Sequence, residues 1–314
     1  MKNKQWVILV TIIILVVISF IIAMFYAAFS GSGTGEFKIG GKRADVGLIK
    51  ISGPIVGEKD PSLFATGGAV SPTIVNYIKK AKDNPRMKAI VLEINSPGGT
   101  VVASKEISTA VEDAKTKKPV IAWIREVGAS GGYWIATSSD HIIADELSVT
   151  GSIGVRGGFL TFGGLMEEYN VTYERMVGGK YKDAGTPFRE LTDEERQVIQ
   201  DRIDIIYEAF VQKVAKDRNI PYEKAKDMAT GMFYMGSQAK ELGLIDELGA
   251  KAEVENYLKK KLDVEKITFI EYKRKPTLLD ALTQAMSGSF FYLGKGMANG
   301  MKEIDMNTEY QMFV

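Results

Sequence analysis

The sequence predicts an α/β protein built on a parallel β-sheet covered by helices. Three observations carry that expectation. Strongly apolar runs of strand length alternate with stretches of helical period. The apolar runs KAIVLEI (Lys88–Ile94) and PVIAWIR (Pro119–Arg125) lack the polar alternation of a half-exposed antiparallel strand. The chain has 314 residues, 45% of them hydrophobic, enough to bury one large domain or two modest ones.

Taken in order, the first element is MKNKQWVILVTIIILVVISFIIAMFYAAFS, residues 1–30. No charge occurs from Trp6 to Phe29, a run longer than the roughly 20 residues a helix needs to cross a bilayer. No clean small-residue cleavage site follows it, so an uncleaved transmembrane anchor is expected rather than a cleaved leader or a buried core helix. Lys2 and Lys4 precede the span, which keeps the N-terminus cytoplasmic and sends the remainder across the cell membrane. Residues 31–44 include GSGTGEFKIGG and read as a linker, 45–260 as the main domain and 261–314 as a C-terminal extension.

Within the main domain, DVGLIKISGPI (Asp45–Ile55) reads as a strand. Ser71 and Pro72 suit the N-cap and first position of a helix continuing TIVNYIKKAKD. Strand Lys88–Ile94 is followed by a helix over Thr100–Lys118 with Val101, Ile107 and Val111 facing inward, then by strand Pro119–Arg125. Next come a helix after Ser130, a strand HIIAD, the glycine-rich TGSIGVRGG, a helix near Leu160–Tyr169 and a strand VTYERMV. From Leu191 the pattern becomes helical: Thr192 and Glu195 form a capping-box signature ahead of Ile199, Ile203, Ile206, Phe210 and Val214. A helix-turn segment to Gly249 and a polar helix at Lys251–Lys261 complete the pass.

Composition removes several functions. Forty basic against 39 acidic residues leave a net charge of +1, with no footprint for nucleic acid. Without cysteine there is no disulfide, thiolate metal site or thiol nucleophile, and with a single histidine a metal centre is not expected. The phosphate-cradling G-x-x-x-x-G-K-[ST] pattern is missing, so neither a metal nor an organic cofactor is expected.

What stands out is GASGGYWIATSSD, residues 128–140. Gly128, Ser130 and Gly132 satisfy G-x-S-x-G, which presents a serine on a tight strand-to-helix turn, although glycines also flank serines in ordinary turns. A serine nucleophile needs a base. The lone histidine, His141, follows too soon, with Asp140 the sole acid between them, for the usual order of serine, acid and histidine. A neutral lysine can serve instead, provided a dry site with few carboxylates lowers its ordinary pKa of about 10.4. Lys180 and Lys182 lie among glycines in VGGKYKDAGTPFREL, and the residues alone do not choose between them.

Five stretches taken together resemble the bacterial signal peptide peptidase A family. They are INSPGG (94–99), GASGGYWIATSSD, TGSIGV (150–155), GGKYKDAGTPFRELTDEER (178–196) and GSQAKELGLIDELG (236–249). With the N-terminal span, the chain is similar to the short, single-module, membrane-anchored form. The resemblance implies a Clp protease and crotonase-like fold and a serine endopeptidase working by a Ser-Lys dyad. Ser130 then matches the nucleophile, Lys182 the general base, with Lys180 as the fallback, and Ser152 the residue that orients the lysine. Gly98, Gly99 and Gly131 are implied for the oxyanion hole.

The implied substrates are hydrophobic peptides, chiefly signal peptides left after preprotein cleavage. One module carrying both residues implies a ring-like homo-oligomer in which serine and lysine come from neighbouring subunits. Two alternatives are kept: a membrane-bound Ser-Lys protease for a specific membrane protein, or an acyl-CoA-handling crotonase relative, of the same broad fold; and a non-catalytic membrane scaffold of that fold. The apolar C-terminus, ending Tyr310, Met312, Phe313 and Val314, is a candidate self-substrate or plug, or else a frayed tail.

Overall fold

The computed structural model describes residues 42–58 and 68–273, together with Leu15, Ile18 and Ser19. The chain divides into two compact units, Met1–Gly41 and Lys42–Val314. In the first, the three described residues are helical and exposed. Among the described residues no helix is long and apolar enough to cross a membrane. Apart from those three residues, the anchor expected at 1–30 lies outside the described part, as does the tail beyond residue 273.

The second unit is organised by an eight-stranded sheet. Its strands β1 (Arg43–Ser52), β4 (Met87–Ser96), β5 (Val120–Ala129), β6 (His141–Ala144), β9 (Glu247–Leu248) and β10 (Lys266–Glu271) lie in the order β10-β1-β4-β5-β6-β9, every pair parallel. Two short strands extend it: β7 (Val149–Gly151) runs parallel to the end of β5, and β8 (Phe233–Met235) pairs antiparallel with β7. The parallel expectation therefore becomes a mixed sheet. Separately, β2 (Ile55–Val56) and β3 (Ala69–Val70) form a small parallel pair.

Parallel neighbours require crossovers, and the helices supply them. Helix α1 (Ser71–Asp83) leads from β3 toward β4, α2 (Val101–Lys115) joins β4 to β5, and α3 (Gly131–Thr137) joins β5 to β6. Beyond β7 come α4 (Gly163–Glu168), α5 (Asp193–Asp217) and α6 (Tyr222–Met228). Helix α7 (Gly236–Leu242) follows β8, and α8 (Lys251–Leu262) precedes β10.

Burial explains why the strands are apolar on both parities. Ile90, Leu92 and Ile94 of β4 join the large core with Ile107 and Val111 of α2 and Phe210 of α5. Ala89 and Val91, pointing the other way, join a second core with Val254 and Leu258 of α8. Each fully buried Ile or Leu is worth about 1.5–3 kcal/mol relative to exposure, so both faces hold the sheet.

Several sequence expectations need correction. Ser71 is the first residue of α1 rather than its cap, which is Val70; its hydroxyl bonds Glu106 instead of the helix backbone. Val101 is 39% exposed, whereas Ile107 and Val111 are fully buried as expected. VTYERMV, residues 171–177, forms no strand: Val171, Tyr173, Met176 and Val177 are all exposed and have no strand partner, so β-prone residues have no ladder to join. Strand β10 lies within the stretch read as a C-terminal extension, where its register of Arg43 with Lys266 through Leu48 with Glu271 adds a strand beside β1.

Candidate active site

The sheet directs its C-terminal strand ends toward one region, the usual location of ligand sites in open α/β sheets. Ser130 stands there, between the last residue of β5 and the first of α3. Its backbone has φ 51 and ψ −121, a region that costs a residue with a side chain about 1–3 kcal/mol. The surroundings hold it. Ser130 N–H donates to the Gly151 carbonyl at 2.8 Å, and the Ser130 carbonyl accepts from Trp134 N–H at 2.9 Å to begin the helix.

Glycines make this turn possible. A Cβ on Gly131 would collide with Ser104 Oγ, and one on Gly98, at φ 99, would lie 2.7 Å from Gly131 N and 2.8 Å from Ser130 Cβ. The loop after β4 thus closes directly onto the serine. Ser96 secures it: its buried hydroxyl donates to the Gly53 carbonyl at 2.6 Å and accepts from Gly98 N–H at 3.1 Å. Gly98 N–H is engaged, while Gly131 N–H, at the start of α3, has no helical acceptor.

Ser130 opens on a cavity of about 760 Å³ that it shares with Ser152, Gly98, Gly99 and Gly131. Val101, Trp134, Ile206 and Phe210 give it apolar walls, with the Trp134 and Phe210 rings 4.8 Å apart. Ser152 sits directly after β7 and is itself forced to φ 49. Its N–H donates to the Met232 carbonyl and its hydroxyl to the Gly231 carbonyl, each at 3.1 Å.

The predicted lysines lie elsewhere in the single chain. Lys182 is exposed, on a turn where its N–H donates to the Gly179 carbonyl at 3.1 Å, and it does not line the cavity of Ser130. Lys180 pairs with Glu194 at 2.5 Å, and this hydrogen bond raises its pKa above the usual lysine value. Held protonated, Lys180 is a poor base. His141 pairs in register with Ile121 at the opposite end of β5, so about 25–30 Å of strand separates it from Ser130. There its ring stacks on Tyr257 at 4.0 Å and bonds Glu247 at 3.2 Å.

Two features escaped the sequence reading. One is Arg156, which lines the cavity. The other is a clamp around Lys182. Asp183 accepts paired hydrogen bonds from Arg175 (2.7 and 2.8 Å) and from Arg189 (3.0 and 3.3 Å). Arg189 also grips Glu195 through two bonds of 2.7 and 2.8 Å, and Glu195 completes the capping box with Thr192. The Arg175 and Arg189 hydrogen bonds hold the Asp183 carboxyl well below its usual range, and the Arg189 bonds lower Glu195 to about 2. Only the capping box has a sequence period; the remaining partners meet across an irregular loop.

Residues 112–265 match Peptidase family S49. The chain is 33% identical over 230 residues to the protease-named MJ0651 of Methanocaldococcus jannaschii, covering 73% of this chain and 72% of that one. It is 37% identical over 232 residues to an Enterococcus faecium protein named for signal peptide peptidase SppA, covering 73% and 67%. Identity to the chloroplastic serine protease SPPA of Arabidopsis thaliana is 28% over 290 residues, 91% of this chain and 43% of that protein.

Proposed function

The chain belongs to the signal peptide peptidase A family of serine proteases, peptidase family S49, and from that premise we propose that it is a membrane-anchored endopeptidase using Ser130 and Lys182 as a dyad. One observation carries the reading of the nucleophile: Ser130 is held at positive φ at the mouth of an apolar cavity that contains Ser152 and the glycine turn 98–99. The Clp protease and crotonase-like fold belongs to the same proposal.

In this mechanism the neutral Lys182 Nζ takes the proton of Ser130 Oγ as the oxygen bonds the scissile carbonyl carbon. Gly99 and Gly131 N–H groups, with the start of α3, face the resulting oxyanion, while Gly98 shapes the turn. Collapse breaks the C–N bond, the ammonium returns its proton to the leaving amine, and water, activated by the same lysine, hydrolyses the acyl-enzyme. Ser152 orients the amine. The cavity supports this chemistry because no carboxylate among the described residues lines it, so an amine entering it meets desolvation without a stabilising anion from that wall.

Because Lys182 lies outside the cavity of its own chain, we assign the dyad to two neighbouring copies in a homo-oligomeric ring. The segment carrying the lysine supports that assignment: Leu160, Tyr169 and Met176 are 73%, 70% and 89% exposed, an apolar surface of the kind that subunit contacts cover. Residues 1–30 would anchor the protein, with the catalytic domain that carries Ser130 on the extracytoplasmic side. Released signal peptides and other apolar peptides would be its substrates, bound extended beside the sheet edge.

The test is direct. Ser130→Ala and Lys182→Ala should each lower cleavage of an apolar peptide by roughly 10⁴-fold, with unchanged circular dichroism, and Ser130→Ala should abolish labelling by a fluorophosphonate. Activity surviving either change overturns the dyad.

A further inference from the structure

We propose that Arg156 determines specificity by pairing with the C-terminal carboxylate of an apolar peptide that has already been released from a longer chain. The proposal rests on the reading of Ser130 as the nucleophile, since it concerns the cavity onto which that serine opens. Among the described residues, Arg156 is the one ionised side chain that lines the cavity. The other titratable group on the wall is Tyr207, whose hydroxyl is already engaged with the Ala229 carbonyl at 2.9 Å.

Arg156 makes no hydrogen bond or ion pair with any described residue. Its situation differs from that of Arg189, with two carboxylate partners, and of Arg218, which grips Asp246 through bonds of 2.7 and 3.0 Å. The backbone leading to Arg156 is nevertheless fixed. Ile153 is buried and its carbonyl accepts Gly231 N–H at 3.0 Å, and a Cβ on Gly154 would come within 2.9 Å of Gly231 Cα. Arg156, two residues beyond that junction, is exposed and lines the cavity with its guanidinium donors unpaired.

Chemistry identifies the occupant. A guanidinium presents paired N–H donors matched to a planar carboxylate. The walls of the cavity favour apolar side chains, and a peptide apolar along its length offers one carboxylate, its C-terminus. The same sequence inside an intact chain has a neutral amide at that point. Arg156 therefore separates a released fragment from an unprocessed precursor. An acidic side chain offers the same group, so the experiment must tell the two sources apart.

The experiment uses full-length Ser130→Ala protein in detergent, so that binding is read without cleavage. Three fluorescent peptides of one apolar sequence are compared by anisotropy: a free C-terminal acid, the C-terminal amide, and the amide with an internal Glu. The acid is expected to bind about tenfold more tightly than the amide, equivalent to roughly 1.4 kcal/mol. Adding Arg156→Gln should bring that ratio to about one, while Arg156→Lys should keep part of it. Equal binding of acid and amide, or a ratio that persists in Arg156→Gln, overturns the proposal. Tighter binding of the internal-Glu amide than of the acid overturns the choice of the C-terminus. Loss of the nucleophile reading would register separately, as wild-type cleavage insensitive to Ser130→Ala beside an intact binding preference.

Discussion

At the scale of single residues, the site depends on backbone conformations that ordinary side chains resist. Ser130 and Ser152 both occupy positive φ, and Gly98 occupies φ 99 against the Ser130 side chain. Gly98→Ala would add both backbone strain and a contact of 2.7–2.8 Å with Gly131 N and Ser130 Cβ. The expected result is a loss of about 1–3 kcal/mol in stability and a fall of 100-fold or more in peptide cleavage. Chemical denaturation and steady-state kinetics check the two parts, and near-normal activity would show that the turn tolerates a side chain. The glycines around Ser130 were legible because G-x-S-x-G has a steric meaning. The engagement of Gly98 N–H by Ser96 was not, because it depends on a loop folding back on itself.

Among the elements, the irregular stretch between α4 and α5 differs most from its sequence reading. VTYERMV has β-prone residues but no partner strand, and it is held by ion pairs instead. Asp183 and Glu195 titrate below their unfolded values, so their stabilisation is complete above about pH 5–6 and is lost as pH falls through 4 toward 2. Limited proteolysis of residues 175–195 should therefore accelerate over that window in the wild type. In Arg189→Gln the same stretch should be open already at pH 7, with cleavage of apolar peptides reduced about tenfold or more, since Lys182 loses its brace. Equal protease sensitivity of the two proteins at pH 7 would show that the clamp does not hold this loop. The capping box of α5 was readable from Thr192 and Glu195; Arg175, Asp183 and Arg189 follow no helical or strand period and were not.

For the molecule as a whole, the proposed division of the dyad between copies has a distinct signature. Ser130→Ala and Lys182→Ala proteins, each inactive, should on mixing and reassembly recover about a quarter of wild-type activity if neighbouring subunits supply the two groups. A dyad within one chain would recover none, which a simple peptide assay distinguishes. The sequence by itself determined the α/β class, most of the strands and the serine turn, because apolar runs, helical period and glycine spacing are local properties written residue by residue. It also excluded cysteine chemistry and left histidine poorly ordered for a triad. Only the tertiary structure decided that His141 lies at the far end of β5, that Lys180 is tied to Glu194, that β10 extends the sheet, and that Arg156 shares a cavity with Ser130. Each of those facts joins residues distant in the chain, and their meeting is set by sheet register and loop packing rather than by any spacing the sequence displays.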